Sequence, residues 1–245
     1  MSIYVWTSKI KNIYVWTTPV KAVYVWTQQV RPSWWTPWTN TLAYYPLTST
    51  TTTQDKSWNN RNLTNSWVTF GTYKWVDCAY SSMSSKLYNS SFITNQQNIT
   101  ALVWIYYVWN GYSWNGNYNQ TVWRWWQSSS ENFWPYIDNL NSPWRLVCSP
   151  GGFWGITLTS DSVWKHCAIT YDYTNKIGKM YIDWTFIWQN TNATPPYWTY
   201  FWLWGGRWST SCFYWWLSEA IIENKIWTAQ EILDYYNQTK SKYWL

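Results

Sequence analysis

The sequence predicts an all-β protein, a two-sheet antiparallel sandwich closed by one short C-terminal helix. Three observations predict it. From Leu42 onwards, short apolar runs with alternating polarity are separated by turns rich in Ser, Asn and Gly, a pattern typical of strands with one buried face. The runs recur at about 8–12 residues, which is typical of sandwiches. Helix signals are confined to one segment near the C-terminus.

The first 32 residues form a repeat with a period of ten residues. The units are IYVWTSKIKN (3–12), IYVWTTPVKA (13–22) and VYVWTQQVRP (23–32). Each unit predicts a short strand, a turn after the tryptophan and a second short strand. Because so small a unit buries little surface alone, we expect residues 1–32 to attach the chain to something larger and to support homo-oligomer formation. Residues 33–41 are predicted to be a linker and residues 42–245 the main domain.

The main domain contains the predicted strands and the helix. The helix begins at Thr228, because Thr228 and Glu231 have the spacing of a capping box ahead of the apolar positions Ile232, Leu233, Tyr235 and Tyr236. The strands are predicted in the segments VTFGTY, ITALVWIYYVW, RLVCS, GITLTS, VWKHCAITYDY, KIGKMYIDWTFI, TYFWLW and CFYWWLSEAIIEN.

Charge and composition favour an extracellular or virion surface. Only 11% of the residues are charged, the net charge is +6, and Ser, Thr and Asn are abundant. The basic residues are scattered and the phosphate-binding pattern G-x-x-x-x-G-K is absent, so no nucleic acid partner is predicted. The sequence lacks the run of about 18 apolar residues that a membrane span needs, so no membrane insertion is expected. No signal peptide is visible.

The chain has four cysteines. An even number at wide spacing fits two disulfides, for which three connectivities are open, and four buried thiols are the alternative. A zinc site is not expected, because none of the cysteines belongs to a C-x-x-C pattern. The disulfide candidates are Cys78, Cys148, Cys167 and Cys212.

The acidic residues and the single histidine argue against an enzyme. A retaining glycosidase needs two carboxylates about 5–5.5 Å apart, and none of the 11 acidic residues lies two positions from another. Glu219 and Glu223 are four residues apart, roughly 13 Å along a strand. No G-x-S-x-G surrounds any serine, and His166 lies within a predicted strand, where a structural role is expected.

Several motifs, in their order, resemble the laminin-G-like, concanavalin A-type jelly-roll domains from Leu42 to Leu245. The N-terminal Y-V-x-T repeats are similar to repeats of phage tail and bacterial surface proteins. The motifs that carry the resemblance are AYYPL (43–47), D-x-S at Asp55, ALVWIYY (101–107), VWKHCAITYD (163–172), IGKMYID (177–183), LSEAIIENKIW (217–227) and TAQEILDYY (228–236).

The resemblance implies a non-catalytic recognition or adhesion module on a virion or cell surface. Its partner would be a cell-surface glycan or protein, bound by loops at the sheet rim and by a shallow sheet face. A structural spacer of a tail or surface fibre is the first alternative, and a glycoside hydrolase is the second. No cofactor is required, although the resemblance allows Ca²⁺ at a sheet rim, with Asp77, Asp138 and Asn139 as candidate ligands.

Two aromatic features are candidate ligand-binding sites. Within the predicted strand 101–107, Trp104 and Tyr106 are two residues apart and therefore face the same side. The loop 110–117 is polar and glycine-containing, as binding loops often are, and it contributes Tyr112 and Asn117. The alternative is that Trp104 is a core residue and the loop is a plain connection.

Tryptophan stands at positions where the resembled family has glycine. The chain has 29 Trp and only 9 Gly. The family hairpin turns at Asp-Gly, where this chain has Asp183 and Trp184. Such a turn needs positive φ at both central residues, and a bulky residue there costs about 1–2 kcal/mol. The same replacement is seen at Trp58, Trp215 and, in the repeats, at Trp6, Trp16 and Trp26.

We interpret these tryptophans as UGA codons that specify glycine in the source organism and were translated as tryptophan. Most of the 29 Trp would then be glycine, and the exposed ones would be no evidence of a sugar-binding surface. The alternative is a genuinely Trp-rich carbohydrate- or membrane-binding surface. The tryptophans that fit the family pattern are Trp35, Trp104, Trp164, Trp202, Trp216 and Trp227.

Overall fold

The computed structural model describes residues 40–81, 85–92, 98–107, 163–193, 200–206 and 215–245, together with the backbone of the strands named below in other segments. The chain divides into two compact units, Met1–Pro37 and Trp38–Leu245. The predicted boundary between linker and main domain, after residue 41, lies close to this division.

The first unit contains two short antiparallel hairpins. Strand β1 (Tyr14–Val15) pairs with β2 (Thr18–Pro19), and β3 (Val23–Val25) pairs with β4 (Gln28–Val30). Each hairpin falls within one ten-residue unit of the repeat, 13–22 and 23–32. The unit 3–12 lies outside the described residues.

The second unit consists of two antiparallel sheets and the C-terminal helix. The strands, numbered along the chain, are β5 (Thr41–Tyr45), β6 (Thr64–Ser66), β7 (Thr69–Tyr73), β8 (Val76–Ser81), β9 (Lys86–Asn89), β10 (Ile99–Tyr107), β11 (Gln120–Trp126), β12 (Trp134–Asp138), β13 (Arg145–Ser149), β14 (Trp154–Thr157), β15 (Trp164–Asp172), β16 (Ile177–Ile182), β17 (Thr185–Asn190), β18 (Tyr200–Gly206) and β19 (Trp215–Glu223).

The eight-stranded first sheet has the order β17-β16-β15-β10-β19-β8-β7, and β5 also pairs with β19. The seven-stranded second sheet has the order β14-β13-β12-β11-β18-β9-β6. Neighbours such as β10 and β19 are far apart in sequence, so the chain crosses repeatedly between the sheets, as it does in a jelly roll. The predicted fold class, an all-β antiparallel sandwich with one C-terminal helix, is confirmed.

The main core lies between the two sheets. On β10, Ala101, Val103 and Ile105 are buried in this core, whereas Trp104 and Tyr106 are buried in a separate cluster on the opposite face. Burying a large apolar side chain stabilises a fold by about 1.5–3 kcal/mol. We call the face of the first sheet that is turned away from the core its outer face. The second sheet contributes Leu87, Phe201 and Leu203 to the core.

The C-terminal segment consists of helix α1 (Ala229–Thr239) and a 3-10 turn (Lys240–Tyr243). The predicted capping box is confirmed, because Thr228 Oγ1 accepts from the Glu231 N–H and the Glu231 carboxylate accepts from the Thr228 N–H. The segment packs on the outer face of the first sheet through Tyr243. Among the described residues, no helix has the length and apolar character that crossing a bilayer requires.

Two hairpin turns of the first sheet place tryptophan in the left-handed region. Between β16 and β17, Asp183 and Trp184 have φ of 46° and 66°. Between β7 and β8, Lys74 and Trp75 have φ of 44° and 67°. Positive φ at both central residues is the requirement of a type I′ turn, for which glycine is preferred at the second position.

Two further tryptophans adopt the same backbone conformation. Trp67, in the turn between β6 and β7, has φ of 68°. Trp244 follows the last helical turn with φ of 61°, while its N–H donates to Ser241 O and the Leu245 N–H donates to Lys240 O. This is the Schellman arrangement, in which glycine usually occupies the left-handed position.

Candidate functional site

A row of aromatic residues crosses the outer face of the first sheet. Trp164 on β15 is directly opposite Tyr106 on β10, which is opposite Trp216 on β19, which is opposite Tyr80 on β8. Residues paired in this way face the same side of a sheet. Together with Tyr73 at the end of β7, these four residues form what we call the aromatic stripe.

The rings of the aromatic stripe are in contact along its length. The centroids of Tyr106 and Trp164 are 5.5 Å apart, those of Tyr106 and Trp216 5.6 Å, and those of Tyr80 and Trp216 5.3 Å. Tyr73 stacks on Trp216 at 3.7 Å, with 15° between the planes. Pairs in this range contribute about 0.5–1.5 kcal/mol beyond burial, so the stripe is a rigid surface.

Exposure changes along the aromatic stripe. Trp164 and Tyr106 are buried, whereas Trp216, Tyr80 and Tyr73 are half-buried. Strand β7 is the last strand of the first sheet in the described topology. The stripe therefore begins in a buried region near the centre of the sheet and reaches the surface at the β7 edge.

The C-terminal segment covers the buried end of the stripe. The Tyr243 ring stacks on Trp104 with 4.0 Å between centroids and lies 5.1 Å from Trp164. The Tyr236 ring also stacks on Trp104, with 5.7 Å between centroids. Burial raises the pKa of the Tyr243 phenol well above its ordinary value. The Tyr243 hydroxyl donates to Ser218 Oγ at 3.1 Å, so the segment is held by a hydrogen bond as well as by stacking.

The structure places the predicted ligand-binding residues as follows. Trp104 and Tyr106 face the same side, as predicted, but both are buried and covered by other rings. A stacking platform needs an exposed ring face, which neither residue has here. The sequence could not show this, because Trp104 is covered by Tyr236 and Tyr243, more than a hundred residues away, and Tyr106 by rings of other strands. Tyr112 and Asn117 lie outside the described residues.

Several polar atoms near the buried end have no hydrogen-bond partner in the described part of the chain. They include the indole nitrogens of Trp104 and Trp164. Both ring nitrogens of His166 are also buried without a hydrogen-bond partner among the described residues. Burial lowers the pKa of His166 to about 3, so the ring is neutral at physiological pH. Its position, packed against Trp104 and Tyr235, agrees with the structural role expected for it.

A strained carboxylate lies beside the C-terminal segment. Glu219 is the extra residue in a β-bulge of β19, with φ of 52°. It accepts from Tyr44 OH at 3.3 Å, from Lys242 Nζ at 3.4 Å and from Tyr243 OH at 3.5 Å. Strained residues of this kind persist only where surrounding contacts hold them. We interpret Glu219 as the residue whose hydrogen bonds hold the C-terminal segment against the sheet.

The disulfide prediction is wrong for two of the four cysteines. Neither Cys78 nor Cys167 forms a disulfide. They lie on opposite faces of the first sheet, Cys78 in the outer cluster and Cys167 in the main core. Burial raises the pKa of the Cys78 thiol to about 12, so it stays protonated. The side chains of Cys148, on β13, and of Cys212 lie outside the described residues.

The calcium candidates are only partly described. The Asp77 carboxylate accepts from the N–H and the hydroxyl of Ser49, both at 2.8 Å, which ties down the loop after β5. Asp138 lies at the end of β12, and Asn139 is outside the described residues. In the part of the chain that the structure describes, no three His, Cys, Asp or Glu side chains are grouped to hold a metal. Calcium stays a prediction.

The fold and the aromatic stripe define a class of protein, an all-β jelly-roll sandwich with one aromatic face. No protein-family model and no curated protein matches the sequence. Among solved structures, the chain is similar to domain 4 of AbnA, a GH43 extracellular arabinanase from Geobacillus stearothermophilus, in complex with arabinotriose. The TM-score is 0.61 at 15% identity, covering 80% of this chain and 97% of that domain.

Toxin binding domains share the same fold. The botulinum neurotoxin serotype D binding domain matches with a TM-score of 0.58 at 14% identity, covering 81% of this chain and 52% of that one. The binding domain of Paraclostridial Mosquitocidal Protein 1 matches with 0.58 at 16% identity, with the same coverage of 81% and 52%. The chain thus spans about half the length of these binding domains. At such identities the comparisons show the fold alone.

Proposed function

We propose that this chain is a non-catalytic recognition module that binds a cell-surface glycan or protein. The observation that carries the proposal is the aromatic stripe, which reaches the surface at the β7 edge of a fold shared with binding domains. Aromatic rings held rigidly at a surface bind apolar faces of ligands at low entropic cost. The arabinanase domain, in complex with arabinotriose, supports a glycan as the first ligand to test.

The carboxylates of the described residues support a non-catalytic role. A general acid or nucleophile must be available to the substrate, whereas the buried and half-buried carboxylates here accept hydrogen bonds within the protein. Asp55, for example, accepts from the N–H groups of Tyr44, Ser57 and Arg61. The others are Asp77, Asp172, Asp183, Glu219, Glu223, Glu231 and Asp234.

A glycan array tests the proposal. The chain is expected to bind at least one glycan, and Tyr80→Ala is expected to weaken that binding about tenfold, equivalent to ~1.4 kcal/mol. Phe186→Ala is the matched control, because Phe186 is 50% exposed on β17, at the opposite edge of the sheet. Stable multimers on sizing, without binding of any glycan or cell-surface protein, would favour a structural spacer instead.

We also propose that the module is extracellular or virion-associated and of the laminin-G-like kind. The two hairpins of the first unit support a role for residues 1–32 in attachment and homo-oligomer formation, because hairpins this small bury little surface alone. Light scattering of the full chain and of a chain lacking residues 1–32 tests it. The shorter chain is expected to lose the multimers. If the two chains form assemblies with the same number of copies, the proposal is contradicted.

We further propose that the natural protein carries glycine at the positions where an exposed tryptophan has a left-handed backbone conformation. The side chains of these tryptophans are 45–83% exposed and do not belong to the hydrophobic core. Their backbones adopt the left-handed conformation, for which glycine is preferred. Tryptophans that the family pattern supports behave differently, since Trp104, Trp164 and Trp227 are all buried. The four exposed positions are Trp67, Trp75, Trp184 and Trp244.

A further inference from the structure

We infer that the exposed end of the aromatic stripe seats a single ring of a neutral sugar over Gly71. This inference rests on the proposed function and deepens it by naming the position and the ligand class. Gly71 lies in the middle of β7 and is directly opposite Cys78, whose side chain is in the outer cluster. A side chain at position 71 would therefore lie on the same face of the sheet as the aromatic stripe.

The space above Gly71 is open. A Cβ built at this position would meet nothing within 4 Å. Glycine weakens a strand interior and often marks a place where a ligand approaches the backbone closely. Gly71 lies in the regular antiparallel pair of β7 and β8 and not in a turn. This open space, which we call the notch, lies on the same sheet face as the aromatic stripe.

The walls of the notch are aromatic. Tyr73 faces the same side two residues along β7, and it is fixed by stacking on Trp216 at 3.7 Å. Tyr80 lies opposite Thr69 on the other side of Gly71. The distance from Thr69 to Tyr73 along the strand is about 13 Å. The side chains of Thr69 and Tyr73 take up part of this distance. The remaining space is wide enough for one sugar ring but not for an α-helix, which is about 10–12 Å wide.

Polar groups around the notch suit a neutral ligand. Thr69 is exposed and supplies a hydroxyl, and the backbone of edge strand β7 is unpaired on its outer side among the described strands. Burial, followed by a side-chain hydrogen bond with Tyr106, raises the pKa of Tyr73 to about 12, so its phenol stays uncharged. The Lys74 ammonium lies 4.9 Å above the Tyr106 ring, which occupies it in a cation–π contact. Asp77 is engaged by Ser49.

The side chains of Tyr73 and Tyr106 interact. Their ring centroids are 5.0 Å apart, and a hydrogen bond between the two side chains contributes, after burial, to the raised pKa of Tyr73. Tyr73 is therefore fixed beside Gly71 by Tyr106 as well as by Trp216.

Calorimetric titration with arabinotriose, cellotriose and maltotriose tests the inference. At least one of them is expected to bind, and Gly71→Val is expected to weaken it at least about tenfold, because its branched side chain fills the notch. Since a Cβ there meets nothing, the melting temperature is expected to stay within about 2 °C. Thr185→Val, on the exposed edge strand β17, is the matched control and is expected to bind normally.

Three results separate the notch from the wider proposal. Binding that Gly71→Val weakens and Thr185→Val does not supports the notch. Binding that is unchanged in Gly71→Val overturns the notch and leaves glycan recognition intact. If none of the three oligosaccharides binds to a folded protein, the neutral-sugar seat is overturned, whereas a cell-surface protein partner under the proposed function is still open to test.

Discussion

Trp184 follows Asp183 in a two-residue hairpin loop in which both residues have positive φ, 46° and 66°. The Asp183 carboxylate accepts from the His166 N–H at 2.9 Å and from Lys165 Nζ at 2.7 Å, so the turn is anchored to the neighbouring strand. The indole of Trp184 is 45% exposed. The aspartate thus has a structural task, whereas the tryptophan occupies a conformation that favours glycine.

Replacing turn tryptophans with glycine should stabilise the fold. Trp184→Gly and Trp75→Gly each remove a left-handed bulky residue, for a gain of about 1 kcal/mol or more, which raises the melting temperature by roughly 2–4 °C in a domain of this size. Thermal unfolding followed by circular dichroism measures it. Trp227→Gly is the control, because this buried indole is expected to be needed, and its loss should cost about 3–5 kcal/mol. Destabilisation by both turn variants would contradict the account.

Mass spectrometry of the protein from its source organism should find glycine at position 184. Trypsin cleaves after Lys179 and Arg207, so one peptide spans the position. The same measurement should find tryptophan at position 164, where the side chain is buried in the aromatic stripe. Tryptophan at both positions would end the glycine proposal, and glycine at both would contradict the distinction between exposed and buried positions.

The C-terminal segment should be an integral part of the fold. Tyr243→Ala removes a buried ring that stacks on Trp104, and we expect a loss of about 3–5 kcal/mol in the free energy of unfolding. Tyr243→Phe keeps the ring and loses the hydrogen bond to Ser218, for about 1 kcal/mol. Urea denaturation distinguishes them. Equal, small losses would show that the segment is only loosely attached.

Acid should destabilise the protein through His166. Its folded pKa is about 3, because burial disfavours the charged ring, whereas an unfolded histidine titrates near 6.5. The unfolded state therefore binds more protons once the pH falls below 6.5, and the free energy of unfolding falls by up to about 1.4 kcal/mol per pH unit. His166→Leu is expected to flatten this slope between pH 6.5 and about 4.5. An unchanged slope would show that the ring is accessible to protons in the folded state.

The sequence was informative where the signal is local. Period-two alternation predicted β10 and β15, and the spacing of Thr228 and Glu231 predicted the start of the helix. It also predicted that Trp104 and Tyr106 share a face, because parity along one strand is a local property. The positive φ at Trp184 followed from turn chemistry.

The aromatic stripe could not be predicted, because it depends on the register between distant strands. Trp216 and Tyr80 are opposite each other only because β19 pairs with β8. The bulge at Glu219 shifts the pairing of β19 with β10, and no local pattern announces it. Burial of Trp104 depends on where the C-terminal segment packs, which is also a tertiary property. Residues on one strand therefore suggested a site that the packing of another element covers.

The most direct test compares ligand binding by the unmodified chain with binding by a variant that has glycine at positions 67, 75, 184 and 244. The account holds that recognition uses the aromatic stripe and not the exposed tryptophans, so the dissociation constant for an array-positive oligosaccharide should change by less than about twofold. Adding Tyr80→Ala to that variant should weaken binding about tenfold. A folded glycine variant that no longer binds, or one that binds equally well without Tyr80, would contradict the account.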